Sequence, residues 1–483
     1  MASFFLINFG CRVSQADGAG LKNQLRGAGL IEAQDTAACD LAILNTCTVT
    51  QTADAEVRQI IRRIHRANPQ CRIMVTGCYA QRAPEEIAGL EGVSWVVGNS
   101  HKHQIPAMLA GANQVSRADS ATAAILADEI QPEFHFVPAF ADDRTRPTVK
   151  IQDGCNARCA FCVIPSVRGP GRSLAPSNVI EEIRRLEQQG FKEIVLSGIN
   201  LGSYGKDLGR SINFLGILER ILAETQMPRM RISSIEPMDI SPELIRLAAR
   251  EPRLARHFHV PLQSGCDGIL RLMNRRYWAA HYAERIRAIH QSIPNAAIGA
   301  DVMVGFPGET AADHAESVRF IESLPLTYLH VFPYSARPST AAASRPCQVE
   351  RATARERAGE LRALSAKRQR AFMERQVGEV LSAITLQETA AGECLALSTN
   401  FLKISIPAEN FRPNHLVNLR VLRVDAGGLH GEVQEAVGET QRWARHGLCA
   451  AGFSVVPAGA AMRVETLRGF GVDKGRPNRT EYR

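Results

Sequence analysis

The stretch Thr148-Val149-Lys150-Ile151-Gln152-Asp153-Gly154-Cys155-Asn156-Ala157-Arg158-Cys159-Ala160-Phe161-Cys162 decides the fold. Residues 148–152 read as a buried strand, and three cysteines spaced C-x3-C-x2-C follow its end directly. So tight a spacing lets one loop wrap three thiolates around a cube-shaped cluster. Three ligands leave one iron of a [4Fe–4S] cluster free. An open iron can chelate the amino and carboxylate groups of S-adenosylmethionine (SAM), and an electron from the cluster can then cleave the carbon–sulfur bond to give a radical. The competing chemistry is a structural zinc site. That needs a closed set of four ligands, and no fourth Cys or His stands nearby at a zinc spacing. The position of the motif favours the cluster, because β/α barrels keep their chemistry at the C-terminal ends of their strands.

Working downstream, strand patterns at 194–197, 230–233, 257–260, 298–304 and 329–332 alternate with helical patterns at 179–189, 214–224, 242–250, 278–293 and 311–323. With the first strand these make six β/α units, which predicts an open, partial (β/α)6 barrel over residues 144–373. The highly charged helical pattern at 350–375 reads as a solvated amphipathic helix. Beyond Gly378 the period changes to short strands at 379–386, 393–397, 402–406 and 416–424. They predict a small C-terminal all-β barrel or sandwich over 374–437, with Lys403 and Arg412 as candidate contacts to an RNA backbone. Residues 438–483 form a tail of unknown role, disordered over 469–483 by its composition.

Upstream, strands at 4–8, 41–45, 72–76 and 95–97 alternate with helices at 14–27 and 52–67, the second stopped by Asn68-Pro69. This predicts an N-terminal, doubly wound parallel α/β domain over 1–112, followed by a linker with peripheral elements at 113–143. Cys11, Cys47 and Cys78 each lie just past the end of one of its strands, in Phe9-Gly10-Cys11, Asn45-Thr46-Cys47 and Thr76-Gly77-Cys78. Strand C-termini of an open α/β sheet face one crevice, so the three converge. Gly10 and Gly77 let the backbone turn tightly there. The alternative is three buried structural cysteines. Cys39 and Cys71 precede their strands, at the opposite edge, and carry no assigned role; Cys266, Cys347, Cys394 and Cys449 occur in unrelated contexts.

The chain has 483 residues, 45% of them hydrophobic, and a formal net charge of +8. That is enough apolar content for roughly two to four domains. The basic excess fits a polyanionic partner such as RNA, though many soluble proteins share it. Met1-Ala2-Ser3-Phe4-Phe5-Leu6 has no signal-peptide pattern, and no charge-free stretch approaches a membrane span. A cytoplasmic protein with no membrane partner is expected. Its twelve cysteines then point to metal binding or catalysis more than to disulfides.

Further strings join these. They are Asn8-Phe9-Gly10-Cys11, Asn45-Thr46-Cys47-Thr48-Val49-Thr50, Gln152-Asp153-Gly154-Cys155, Phe161-Cys162-Val163-Ile164-Pro165, His259-Val260-Pro261-Leu262-Gln263-Ser264-Gly265 and Asp301-Val302-Met303-Val304-Gly305-Phe306-Pro307-Gly308-Glu309-Thr310. In this order, from about residue 4 to 435, the chain resembles the methylthiotransferase branch of radical SAM enzymes. The resemblance implies an α/β domain with an auxiliary cluster, a radical SAM core and a TRAM-like domain that grips RNA. Arg231-Ile232-Ser233-Ser234-Ile235-Glu236-Pro237 and Leu329-His330-Val331-Phe332-Pro333-Tyr334-Ser335 look like the branch that modifies threonylcarbamoyladenosine in tRNA. Ser166 in Ile164-Pro165-Ser166-Val167-Arg168-Gly169 is closer to the branch that modifies a ribosomal-protein aspartate, and residues past Ala436 fall outside the family pattern.

What the resemblance implies is radical methylthiolation of C2 of N6-threonylcarbamoyladenosine next to the anticodon, with two [4Fe–4S] clusters and SAM. Cys155, Cys159 and Cys162 would hold the cluster that makes a 5′-deoxyadenosyl radical from one SAM. Cys11, Cys47 and Cys78 would hold the one that carries the sulfur, methylated by a second SAM. Partners would be tRNA and an electron-donor protein. Alternative substrates are isopentenyladenosine in tRNA or the ribosomal aspartate; a different class of reading is a non-catalytic metal-containing RNA-binding protein. Gly198 and Asn200 resemble the segment that approaches the SAM amino group, against an ordinary βα turn. Glu236 is a candidate for binding SAM or the threonylcarbamoyl group, against a surface acid. Gln263 (cofactor binding) and Asp301 (catalytic) have the same standing, although Asp301 could equally satisfy backbone donors. Arg168 could pair a carboxylate or phosphate, or be a solvated loop residue. His101 and His103 read as exposed loop histidines.

Overall fold

The computed structural model describes residues 2–112, 123–127, 130, 145–388, 393–407 and 412–436. The tail at 438–483, Cys449 and most of the stretch at 113–143 lie outside the described residues.

The N-terminal part runs β1 (Ser3–Asn8), α1 (Arg12–Gly27), β2 (Ile31–Glu32), β3 (Leu41–Thr46), α2 (Gln51–Ala67), β4 (Arg72–Gly77), α3 (Cys78–Arg82), α4 (Pro84–Ala88), β5 (Val93–Val97), α5 (Ile105–Ala112) and β6 (Ala124–Leu126). One sheet joins the strands in the order β2-β1-β3-β4-β5-β6, every pair parallel. Alternate residues of the central strands serve opposite faces. Leu41, Ile43 and Met74 pack with Leu21 and Leu25 of α1 and Ile105 of α5. Ala42, Leu44, Ile73 and Val75 pack with Val57, Ile61 and Ile64 of α2. Helices on both faces explain why β3 is buried along its whole length. The Thr50 side chain caps α2 by accepting from Ala53 N at 3.2 Å. β6, which falls within the expected linker, adds a parallel edge strand beside β5. His101, expected in an exposed loop, is buried in a short 3-10 turn after β5.

The central part begins with β7 (Thr148–Lys150), β8 (Gln152–Asp153), α6 (Ile164–Arg168), β9 (Arg172–Ser173) and α7 (Pro176–Gln188). It continues through β10 (Glu193–Ser197), α8 (Phe214–Glu224), β11 (Arg229–Ile232), α9 (Pro242–Arg250), β12 (His257–His259), α10 (Asp267–Leu272) and α11 (Ala279–Ser292), then β13 (Ala297–Val304), α12 (Ala311–Glu322), β14 (Tyr328–Pro333) and α13 (Arg351–Glu374). Six parallel strands form two three-stranded sheets, β11-β10-β7 and β12-β13-β14. Backbone bonds from Met230 N to Arg253 O (2.7 Å) and Ile235 N to His259 O (3.0 Å) tie the halves together. The result is the expected open (β/α)6 barrel around one large aliphatic core. The first strand is shorter than its pattern suggested. It stops at Lys150, and Gln152–Asp153 turn away to pair with Arg172–Ser173. α13 is not solvated all round: Ala354, Ala358, Leu361 and Phe372 are buried.

The last part is a closed barrel, β15-β16-β17-β19-β18. Its strands are β15 (Val380–Glu388), β16 (Glu393–Ser398), β17 (Lys403–Pro407), β18 (Leu416–Asp425) and β19 (Gly428–Ala436). The fifth strand closes the barrel and removes both edges. Lys403 and Arg412 are exposed. Arg231, fully buried, holds this barrel to the core. It donates to the carbonyls of Ser398 (3.0 Å) and Thr399 (3.1 Å) while pairing with Glu193 (3.1 Å). No helix among the described residues is long and apolar enough to cross a membrane.

Replacing Arg231 by Ala leaves the buried Glu193 short of a partner and two carbonyls without donors. Thermal and denaturant unfolding should show the variant less stable by about 3–5 kcal/mol. A loss below about 1 kcal/mol would mean this anchor is not structural.

Candidate active site between two cysteine triads

β1, β3 and β4 are adjacent and in register, Asn8 beside Asn45 and Asn45 beside Thr76. The chain therefore reaches Cys11, Cys47 and Cys78 at one edge of the sheet. Gly10 has φ +92°, and a Cβ there would stand 2.3 Å from Cys47 Cβ; Gly77 has φ +100°, and a Cβ there would stand 2.3 Å from the Thr46 carbonyl oxygen. Only glycine fits either turn. Cys47 and Cys78 are buried and Cys11 is exposed. Burial first, and then the nearby Cys11 and Cys78, push the Cys47 thiol up to about 12. The three sulfurs thus share one electrostatic environment.

The second triad follows β8. Gly154, at φ +70°, starts its loop where a Cβ would lie 2.0 Å from the Pro170 carbonyl oxygen, and Cys155 N donates to Gly169 O at 3.0 Å. Cys159 Sγ accepts from Arg275 Nη1 at 3.2 Å. Desolvation, helped by Cys159 and Cys155, pushes the Cys162 thiol up to about 12. Gln152 organises the neighbourhood. Its Nε2 donates to the carbonyls of Asp153 and Gly154, and its Oε1 accepts from Asn200 N at 2.8 Å. Gly198 leaves the room this needs, since a Cβ would stand 2.9 Å from Gln152. Asn200 Nδ2 then lies 3.8 Å from Cys155 Sγ.

The structure brings Gly198, Asn200 and Glu236 to this triad. Glu236 reaches it through Arg275, with which it forms an ion pair; burial raises its carboxyl above the usual range despite that cation. Gln263 lies across the barrel with a left-handed backbone, φ +66°, its N–H on the Asp301 carbonyl at 2.7 Å. Asn200 Oδ1 and Gln263 Oε1 are both buried without a hydrogen-bond partner. Asp301 does not serve backbone donors. Its carboxylate takes His259 Nε2 at 2.9 Å and His330 Nδ1 at 3.3 Å, and these imidazoles hold it well below the usual carboxylate range, more than offsetting burial. Tyr328 Oη meets both His257 Nε2 (2.8 Å) and His259 Nδ1 (3.2 Å).

Arg168 joins the two triads. It is buried, not a solvated loop residue. Its Nε donates to Cys78 Sγ at 3.3 Å, its Nη1 to both Asp153 oxygens at 3.0 and 2.9 Å, and its Nη2 to Asp17 Oδ2 at 3.1 Å. Lys150 pairs with Asp17 and, at 3.0 Å, with Asp153, while Lys102 reaches Asp17 at 3.2 Å. Three cations meet two carboxylates, and the surplus positive charge faces a cysteine sulfur. Asp153 is two residues from Cys155, so this one network touches the supports of both triads.

The donor sets fit iron–sulfur clusters better than zinc. The described three-residue groups whose ligand atoms all lie within 4.8 Å of one another are His259–Asp301–His330 and Cys266–Asp313–Glu316; neither cysteine triad is among them. Sulfurs around one zinc ion stand about 3.8 Å apart, given a Zn–S bond of ~2.3 Å. The eleven described cysteines are all free thiols. The two orphaned acceptors, Asn200 Oδ1 and Gln263 Oε1, suit an ammonium-bearing ligand.

Sequence reasoning missed Arg275, Asp17, Lys150 and Arg12. Arg275, Asp17 and Arg12 stand outside the cysteine motifs, and the contacts that single out Asp17, Lys150 and Arg275 reach across the chain, Lys150 to Asp17 and Arg275 to Cys159 and Glu236. Arg12 and Lys150 had local signals, Arg12 in its place directly after Cys11 and Lys150 in the strand that leads to Cys155. The Arg12 guanidinium, held down to about 10 by enclosure and by Arg146 and Arg231, lies near Tyr328 and Glu193 of the barrel.

An open (β/α)6 barrel with C-x3-C-x2-C at the end of its first strand defines a radical SAM enzyme, a class that uses SAM and a [4Fe–4S] cluster. Comparison with known proteins agrees. Residues 149–321 match the radical SAM superfamily, and residues 3–98 match the family described as uncharacterized protein family UPF0004. The threonylcarbamoyladenosine tRNA methylthiotransferase MtaB of Bacillus subtilis is 35% identical over 428 residues, 88% of this chain and 94% of that one. The tRNA-2-methylthio-N(6)-dimethylallyladenosine synthase of Desulforamulus reducens is 32% identical over 438 residues, 89% of this chain and 95% of that one. Among solved structures, the radical SAM methyltransferase TsrM of Kitasatospora setae shares the fold, with a TM-score of 0.52 and 15% identity over 71% of this chain and 74% of that one. The chain belongs to the methylthiotransferase family of radical SAM enzymes, and it is a transferase. Membership sets aside the reading as a non-catalytic metal protein.

Arg168→Ala strips the buried Asp153 and Asp17 of a shared cation. The expected cost is about 3–5 kcal/mol of stability, measured by unfolding of the purified protein. Arg168→Lys should recover only part of it, because an ammonium cannot serve three acceptors in fixed directions. A fully stable alanine variant would show that the network does not hold the two parts together.

Proposed function

We propose that this protein adds a methylthio group to C2 of N6-threonylcarbamoyladenosine next to the anticodon of tRNA. It would work in the cytoplasm with two [4Fe–4S] clusters, SAM and an electron-donor protein. The observation that carries this reading is the pair of cysteine triads linked through Arg168, on a chain matched over most of its length by a relative named for that reaction.

Cys155, Cys159 and Cys162 would hold one cluster, and Cys11, Cys47 and Cys78 the other; three thiols leave a further position open on each. When bound, the clusters and SAM supply the radical and the methylthio group. The rest is the work of the chain's own side chains. Asn200 Oδ1 and Gln263 Oε1, both buried without a partner, would accept from the ammonium of SAM, with Gly198 and Gln152 fixing Asn200. Arg275 sets positive charge against Cys159, and Glu236 orients Arg275, so Glu236 acts as a positioning residue. Asp301, kept ionised between two imidazoles, is the acid–base candidate of the barrel interior. The closed C-terminal barrel is the element that grips tRNA.

A second reading, methylthiolation of dimethylallyladenosine in tRNA, is favoured by the 32% identity to the Desulforamulus reducens enzyme.

Two measurements test the proposal. Anaerobically reconstituted protein should carry about eight irons, falling to about four when either triad is changed to alanine; four in the intact protein would remove the second cluster. Nucleoside mass spectrometry of tRNA from cells with and without the protein should show 2-methylthio-N6-threonylcarbamoyladenosine only with it. Loss of the dimethylallyl product instead would favour the second reading, and no change in either nucleoside would point away from tRNA.

A further inference from the structure

The inner wall of the half-barrel is richer in cations than its own carboxylates can answer. Glu193, at the start of β10, is gripped by Arg146 (3.4 Å), Arg229 (3.4 Å) and Arg231 (3.1 Å). Asp301 is occupied by His259 and His330. A fourth guanidinium enters from the N-terminal domain. Arg12 opens α1, the helix whose Asp17 pairs with Lys150 of β7. From there it comes within electrostatic reach of Glu193 on β10, Arg231 on β11, His257 on β12 and Tyr328 on β14. Charged and polar groups carried by strands of both sheets therefore lie near it. It is only partly exposed. Among the described residues, no carboxylate and no hydrogen-bond acceptor meets its guanidinium.

A partly buried guanidinium that meets no hydrogen-bond acceptor is costly to keep, and its planar fork of donors matches a carboxylate. Arg12 also adjoins Cys11, so an anion bound there would lie beside the auxiliary triad. We propose that Arg12 is a specificity-determining residue that takes the carboxylate of an acidic adenosine modification, namely the threonyl carboxylate of N6-threonylcarbamoyladenosine. This rests on the tRNA reading above. Two N–H donors of the fork would face the two carboxylate oxygens. A hydrocarbon modification such as dimethylallyl would leave the guanidinium enclosed and unpaired, so the same side chain that selects the acid rejects the neutral group.

The test uses cluster-loaded protein and three synthetic anticodon stem-loops, carrying N6-threonylcarbamoyladenosine, its carboxyl methyl ester, or dimethylallyladenosine. Binding is read by fluorescence anisotropy at fixed salt, because phosphate contacts make affinity salt-dependent. The wild type should hold the acid roughly ten- to hundredfold tighter than the ester, the range of a charged hydrogen-bonded pair. Arg12→Gln should erase that difference by weakening only the acid, and Arg12→Lys should keep part of it. In turnover, Arg12→Gln should raise KM for the acid more than it lowers kcat. Iron content matching the wild type shows that Cys11 still does its part in the variant; if iron is lost, the wild-type comparison of acid with ester decides alone. Equal wild-type affinity for acid and ester overturns the proposal, as does full discrimination surviving in Arg12→Gln. Discrimination without methylthiolation of the acid loop would keep the carboxylate pocket and sink the proposed substrate. Methylthiolation without discrimination would keep the substrate and sink the pocket.

Discussion

Arg168 is the interaction on which the arrangement of this protein depends. Its guanidinium is buried and touches Cys78 of the N-terminal sheet, Asp153 at the base of the barrel's cysteine loop, and Asp17 of α1. A charge with no access to water must be answered locally. The answer draws Lys150 and Lys102 into the same cluster. Because the partners belong to two parts of the chain, meeting the electrostatic demand also fixes how those parts meet. Cys78 and the base of the Cys155 loop are thereby tied to one guanidinium, and the surplus positive charge of the cluster is available to offset thiolate charge.

A second buried contact does comparable work elsewhere in the molecule. Asp54 of α2 takes Arg82 at 2.9 Å and Arg337, from beyond β14, at 2.7 Å, and Arg337 also donates to the Thr48 carbonyl at 2.6 Å. The segment just after Cys47 is thus held to the far edge of the barrel. Glu193 with its three arginines plays the corresponding part where the C-terminal barrel docks. Each of these anchors is expensive to break, because removing one member strands the others in a low-dielectric interior. None of them lies among the six cysteines, yet together they decide where those cysteines end up.

Much of the fold was legible because it rests on local rules. Apolar runs of strand length, helical periodicity and the Asn68-Pro69 stop located the main elements to within a few residues, and glycines at positions 10 and 77 marked turns that admit no side chain. Among the elements that escaped notice are the short β2, β6 and α10. Too few residues repeat there for periodicity to register. The early end of β7 escaped for another reason. Gln152 has a strand-forming neighbour in Ile151, but its amide is taken locally by Asp153 and Gly154 and, once the second strand end is in place, by Asn200.

The same division holds for the site. Six cysteines could be grouped from sequence, since spacing speaks for Cys155, Cys159 and Cys162, and strand-end position speaks for Cys11, Cys47 and Cys78. Glu236 and Asp301 could be singled out by their strand ends, but not their partners. That Glu236 pairs with Arg275, that Asp301 is held by two imidazoles, and that Arg168 is buried between domains all depend on residues tens to hundreds of positions apart. Arg12 is the sharpest case. Its chain neighbour Cys11 is plain in the sequence, whereas its want of a carboxylate is a property of the barrel around it. The sequence by itself determined the main elements, their order and the two groups of three cysteines, because these follow from periodicity, turn stereochemistry and spacing along the chain. Only the tertiary structure decided which charges are paired, because burial and distance across the core are set by the packing of the whole chain.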